Sequence, residues 1–120
     1  MSYFFSTYVI FEVMRGNPSY EKYKDFPLIV SVLNLAELYG TVLRELGEEK
    51  ANEFYGKFVF QVVEITSGVM IEAVRFRYKN RKEDVSLPDA IGYILAKKHK
   101  LKFLTGDKFF ENKNNVEFVK

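Results

Sequence analysis

LIVSVLNLAELYGTVLREL, residues 28 to 46, opens on consecutive aliphatic residues and passes without a break into helix-spaced ones. Leu28-Ile29-Val30-Ser31-Val32 shows no alternation of polar and apolar positions, so it suits a strand covered on both faces that ends near Ser31. Leu33, Leu35, Leu38, Val42, Leu43 and Leu46 then recur at helical spacing, and Gly47 supplies a stop. A doubly buried strand feeding directly into a helix is the unit of a parallel sheet, because parallel neighbours need a long crossover between them.

The same alternation extends both ways from this segment. Upstream, Tyr3 to Phe5 reads as a short strand and Thr7 to Met14 as a helix stopped by Gly16-Asn17-Pro18, with a small helix over Ser19 to Lys24. Downstream, Glu48 to Phe60 has a helical apolar face in Phe54, Tyr55 and Phe58, and Val62 to Ile65 reads as a short strand or extended turn. Ser67 is placed to cap a helix running to about Asn80, followed by a charged connection from Arg81 to Val85. Ser86-Leu87-Pro88-Asp89 opens a helix to about His99, Leu101 to Thr105 reads as a strand, and Gly106-Asp107 as a turn. Lys108 to Glu111 makes one helical turn before a last strand over Val116 to Val119. The expected fold is a three-layer α/β/α domain spanning 1–120, with a parallel central sheet of four to five strands and right-handed crossovers.

Composition narrows the chemistry. At 120 residues and 48% hydrophobic, the chain supports one core and is too short for two. It has no cysteine, which excludes disulfides and thiolate metal sites and points to a reducing cytoplasm, so any metal must be held by oxygen. No apolar run approaches the roughly 20 residues that span a bilayer, and the N-terminal run lacks a basic leader, so neither a membrane span nor a signal peptide is expected. The net charge of +2 neither demands nor excludes a nucleic-acid partner.

In open parallel sheets, sites form at the carboxyl ends of strands. Ser6 ends the first strand, Glu37 lies in the opening turns of the helix after the second, Asp89 lies in the first turn of its helix, and Asp107 follows the Leu101–Thr105 strand. Three carboxylates within about 5 Å would repel by roughly 3 kcal/mol per pair at an effective dielectric near 20, so they need a cation or protons to coexist. Oxygen ligands with open positions suit Mg²⁺ or Mn²⁺ engaged with a substrate phosphate. Each residue has a plain structural use as well. Ser86-x-x-Asp89 and Asn34-x-x-Glu37 both have the form of a capping box, and Asp107 can cap the turn that follows it. Their placement on one edge, not any one of them, points to a site.

These residues also resemble a known family, the PIN domain in its VapC-like toxin branch. The resemblance covers essentially the whole chain: an N-terminal strand followed by Thr-Tyr-Val-Ile, SVLNLAELYG at 31 to 40, LPDAIGYILAKKHKLKFLTGD at 87 to 107, and the closing VEFVK. It implies an acidic quartet at Ser6, Glu37, Asp89 and Asp107, with Ser31 and Thr105 as polar positions beside it. It further implies an Mg²⁺- or Mn²⁺-dependent ribonuclease, a homodimer, and inhibition by a small antitoxin protein. The chain departs from the family pattern at position 6, where Ser stands for Asp. A neutral hydroxyl is the weaker ligand, although Ser binds Mg²⁺ when a phosphate shares the ion, so weakened metal binding and impaired cleavage are expected in an intact fold.

Two function classes therefore follow: an endoribonuclease, or a PIN-fold binding protein that keeps its dimer and antitoxin contacts without cutting RNA. A receiver-like module is less well supported, since the first strand offers no Asp as phospho-acceptor. The basic stretch Arg75, Arg77, Lys79, Arg81 and Lys82 could touch RNA but more simply makes a solvated helix end, as do Lys97, Lys98, Lys100 and Lys102. His99, the one histidine, is expected to cap a helix or lie at the surface. Tyr39, Phe54, Tyr55, Phe58 and Phe60 exceed one core face, and the surplus favours a partner surface over residues 33 to 60.

Overall fold

The structure is a computed structural model describing residues 2–120. Strand β1 (Tyr3–Phe5) is the centre of a five-stranded sheet ordered β3-β2-β1-β4-β5. Its neighbours are β2 (Leu28–Val30) and β4 (Lys102–Thr105), and the edges are β3 (Phe60–Val62) and β5 (Val116–Phe118). Every pairing is parallel, with Phe4 opposite both Ile29 and Phe103.

Because side chains alternate along a strand, this register sorts the core into two halves. Tyr3, Phe5, Val30 and Leu104 pack with α1 (Thr7–Met14) and α2 (Val32–Leu46). Phe4, Ile29 and Phe103 pack with α4 (Ser67–Lys79) and α5 (Leu87–Lys98). The remaining helix, α3 (Glu48–Gly56), pairs with α2. The chain winds outward from β1 to β2 and β3, then crosses back to β4 and β5. Right-handed crossovers in opposite directions put their helices on opposite faces. The three layers follow from that reversal, which falls between β1 and β4.

Helix α5 lies close on the sheet. A Cβ at Gly92 would stand 2.8 Å from Phe4 Cε1 and 2.9 Å from Phe103 Cε1, so only glycine admits this approach. Phe110 fills the space beside it, with its ring centroid 5.0 Å from that of Phe103 and 5.3 Å from that of Tyr93.

Four element boundaries differ from the sequence expectation. The helix expected to run to Phe60 ends at Gly56, and the third strand is Phe60–Val62 in place of Val62–Ile65. Pairing with β2 decides this, since Phe60 aligns with Leu28 and Val62 with Val30, and Val63 N donates to Val30 O at 2.8 Å. Thr66, not Ser67, caps α4, its Oγ1 accepting from Val69 N at 3.2 Å. Ser31 leaves the strand and becomes the N-cap of α2.

The surface features resolve in structural terms. Arg77 Nε donates to Val85 O, and Arg81 donates to Tyr78 O with its guanidinium 4.4 Å from the Tyr78 ring centre, so two members of the basic stretch fasten the chain after α4. His99 is the C-cap of α5, its N–H donating to Leu95 O. Much of the aromatic surplus packs on itself around β3, as in the stacked Tyr55 and Phe60 rings. Among the described residues, no helix is long and apolar enough to cross a membrane.

Candidate active site

The reversal of winding leaves a gap above the carboxyl ends of β1 and β4, where ligands collect in open sheets. A cleft of about 480 Å³ occupies it, and Ser6, Thr7, Glu37, Asp89, Asp107 and Lys120 are among its lining residues. All four residues expected from the sequence therefore face one cleft.

Each is placed by a local feature. Ser6 is the N-cap of α1 and is buried; its N–H donates to Leu104 O and its Oγ accepts from Val9 N at 3.4 Å. Ser86 caps α5 by accepting from Asp89 N at 3.2 Å. Asp89 is thus the capped residue, and its carboxyl group, half-buried, is left to face the cleft. Asp107 is held from both sides: its N–H donates to buried Thr105 Oγ1 at 3.1 Å, and its Oδ1 accepts from Phe109 N at 3.0 Å. Thr105 therefore sits where a supporting residue was expected.

Glu37 is fixed differently. The second box form, Asn34-x-x-Glu37, is not a cap: the N-cap is Ser31, and Asn34 Oδ1 accepts from Ser31 N (2.8 Å) and Ser31 Oγ (2.9 Å). Asn34 Nδ2 donates to Thr7 Oγ1 at 3.0 Å, and Thr7 Oγ1 donates to Glu37 Oε1 at 2.6 Å. Protons run one way, from Ser31 through Asn34 and Thr7 to the carboxylate, which defines the orientation of Glu37. Ser31 is the far end of this chain. Thr7 has no assigned role in the sequence and Asn34 only that of a capping residue, although the Ser31, Asn34, Glu37 spacing lays three polar groups along one helix face.

Electrostatics tie the acids together. Burial first, then the Asp107 and Glu37 carboxylates, push the Asp89 carboxyl from 3.8 up to about 6, against the opposing pull of the Ser86 hydroxyl. Among the described residues, no three His, Cys, Asp or Glu side chains stand close enough to enclose an ion together. Glu37 is held at Thr7. The donor chemistry nonetheless fits a hard cation of the Mg²⁺ type, which binds through one or two carboxylates and fills its other positions with water and substrate phosphate.

Beside the acids lies a packed aromatic corner that the sequence did not disclose. Tyr20 is buried and its hydroxyl donates to Val119 O at 2.7 Å, while Val119 N donates to Thr105 O at 3.0 Å. Gly106 underlies both: a Cβ there would stand 2.9 Å from Val119 O, 3.0 Å from Tyr20 Oη and 3.1 Å from Tyr8 Cε2. This packing brings Tyr8 and Lys120 to the cleft.

Comparison with known proteins agrees with this architecture. The PIN domain family model matches residues 3–115. No curated protein matches the sequence. Among solved structures, a toxin-antitoxin complex from Klebsiella pneumoniae is 19% identical with a TM-score of 0.74, covering 98% of this chain and 96% of the other. VapBC2 from Rickettsia felis, bound to a DNA fragment from its promoter, is 16% identical with a TM-score of 0.75, covering all of both chains. VapC20 from Mycobacterium tuberculosis, a toxin that cleaves the sarcin-ricin loop, is 18% identical with a TM-score of 0.75, covering 99% of this chain and all of the other. At these identities the likeness establishes the fold.

Proposed function

The chain belongs to the PIN-domain family, and on that premise we propose that it is of the metal-dependent endoribonuclease lineage, acting on RNA phosphodiesters as a toxin, with cleavage impaired by Ser6. The observation that carries the reading is the convergence of Glu37, Asp89 and Asp107, carboxylates from distant segments, with Ser6 on one cleft.

Asp89 and Asp107 would hold Mg²⁺ or Mn²⁺, with Ser6 in the fourth family position, and the bound ion would supply charge neutralisation at the phosphate and a more acidic water. The chain's own residues do the rest. Thr7 occupies Glu37 Oε1, leaving Oε2 to take a proton from the attacking water. Water oxygen adds to phosphorus as the bond to the leaving ribose oxygen breaks, and that oxygen takes a proton from solvent water, giving a phosphomonoester and a hydroxyl end. Lys120, on the same cleft, offsets phosphate charge.

The alternative is a binding protein that keeps the fold and its partners but does not cut. Support for partners is apolar surface. A groove of about 150 Å³ between α1, α2 and α3, lined by Phe11, Met14, Val42, Leu46 and Phe54, suits an antitoxin peptide. Leu43, Leu46 and Tyr55 remain exposed within the segment expected to form a homodimer. A cytoplasmic location fits the cysteine-free composition.

Measuring Mn²⁺ binding and RNA cleavage for this chain and for Ser6→Asp separates the readings. Restored cleavage in Ser6→Asp, with tighter Mn²⁺ binding, supports the nuclease lineage. Absence of both activities in both proteins removes the catalytic reading.

A further inference from the structure

We propose that Tyr8 is a platform on which an unpaired RNA base stacks beside the acidic cleft; this rests on the nuclease reading. Tyr8 lies in the first turn of α1, two residues after Ser6, and is 55% exposed despite its size. Its ring is nonetheless fixed. It meets Tyr20 edge-on, with centroids 6.3 Å apart at 80°, and its Cε2 edge lies over Gly106, where no Cβ intervenes. Tyr20 is itself anchored by burial and by its bond to Val119 O. A large aromatic held rigidly yet open to solvent loses little freedom on binding, unlike a loose surface side chain.

The charge of the cleft gives this platform a role. Glu37, Asp89 and Asp107 face an incoming phosphate against one lysine, Lys120, so Coulomb forces alone do not hold RNA there. Stacking needs no charge and tolerates any base. A base can lie on Tyr8 only if it is out of a duplex, because A-form helices keep their faces stacked and present only edges and backbone.

The test is affinity for a short fluorescent single-stranded RNA, read by anisotropy without cleavage in EDTA, using the chain and its Tyr8→Ala and Tyr8→Phe variants. Tyr8→Ala is expected to weaken binding about tenfold and Tyr8→Phe to leave it unchanged. An abasic nucleotide at one position should weaken binding by the wild-type chain to the same degree and leave Tyr8→Ala indifferent. Should Tyr8→Ala not fold, the abasic scan on the wild-type chain decides: affinity insensitive at every position overturns the proposal. Unchanged RNA affinity in Tyr8→Ala, with or without weaker self-association, also overturns it and would mark Tyr8 as a protein contact or a packing residue. RNA binding or Ser6→Asp cleavage that ignores Tyr8 leaves the nuclease reading standing. No RNA binding by the wild-type chain, with no cleavage by Ser6→Asp, overturns both.

Discussion

Glu37 ends a hydrogen-bond chain in which each proton has a defined direction, so its orientation depends on Thr7 at the cleft and, through it, on the buried Asn34 and Ser31. Thr7→Val keeps the shape at position 7 but removes the donor to Glu37 and the acceptor of Asn34 Nδ2. Leaving that amide unpaired should cost about 1–3 kcal/mol in thermal or urea unfolding. In the Ser6→Asp background the same change should lower kcat more than it raises KM, because it keeps the shape of the cleft wall at position 7 while releasing the proposed base. Equal kcat in both proteins would remove Glu37 orientation from the account. Asp89 makes a second prediction at this scale. Its carboxyl titrates at about 6 in the fold and 3.8 when unfolded, so between those pH values the folded state holds a proton that the unfolded state has lost. Stability must then fall as pH rises through this window, by about 3 kcal/mol at most, and the loss is complete above pH 6. Asp89→Asn should flatten that slope and raise metal-free stability at pH 7, measured by urea unfolding in EDTA.

At the scale of elements, the decisive contact is α5 on the sheet. Gly92 allows the helix to touch the rings of Phe4 and Phe103, and α5 carries Asp89 at its start, so the packing depth of this helix sets where one acid stands. Gly92→Ala should destabilise by about 1–3 kcal/mol, since the two buried rings have to move. Gly40→Ala, in α2 with open space around the site, should do the opposite and stabilise by about 1 kcal/mol through helix propensity. Comparing the two melting temperatures checks the close approach directly, and two shifts of the same sign would contradict it. Pairing also explains which boundaries could be read beforehand. The strand at 28–30 and the helix after it carry strong apolar patterns of their own, whereas Phe60–Val62 becomes a strand through its bonds to β2. Phe58 and Phe60 look helical from Phe54 onward, and nothing local says otherwise.

For the whole molecule, the sheet order gathers the cleft residues and, on the proposed reading, the near-neutral charge sets how they would meet RNA. A net charge of +2 with the acids inside the cleft predicts weak, salt-sensitive binding: affinity for single-stranded RNA should drop as salt rises, with a shallow slope reporting only a few phosphate contacts. Mn²⁺ should raise the melting temperature in proportion to the logarithm of its concentration, more steeply at low concentration for Ser6→Asp. No shift in either protein would exclude a metal held by the fold.

Local pattern by itself determined the α/β class, the parallel sheet and the four positions at its edge, because apolar periodicity and the end of each strand are properties of neighbours along the chain. Resemblance added the proposal that they form a nuclease site with Ser6 in place of an acid. Only the tertiary structure decided how those positions are held. Asn34 proved to join the cap at Ser31 to Thr7, the carboxyl group of Asp89 to face the cleft, and the Tyr8 ring to be held by Tyr20 and Gly106. The bonds of Asn34 to Thr7 and of Tyr20 to Val119 join residues 27 and 99 positions apart, and contact over such distances depends on strand order, which no local periodicity encodes.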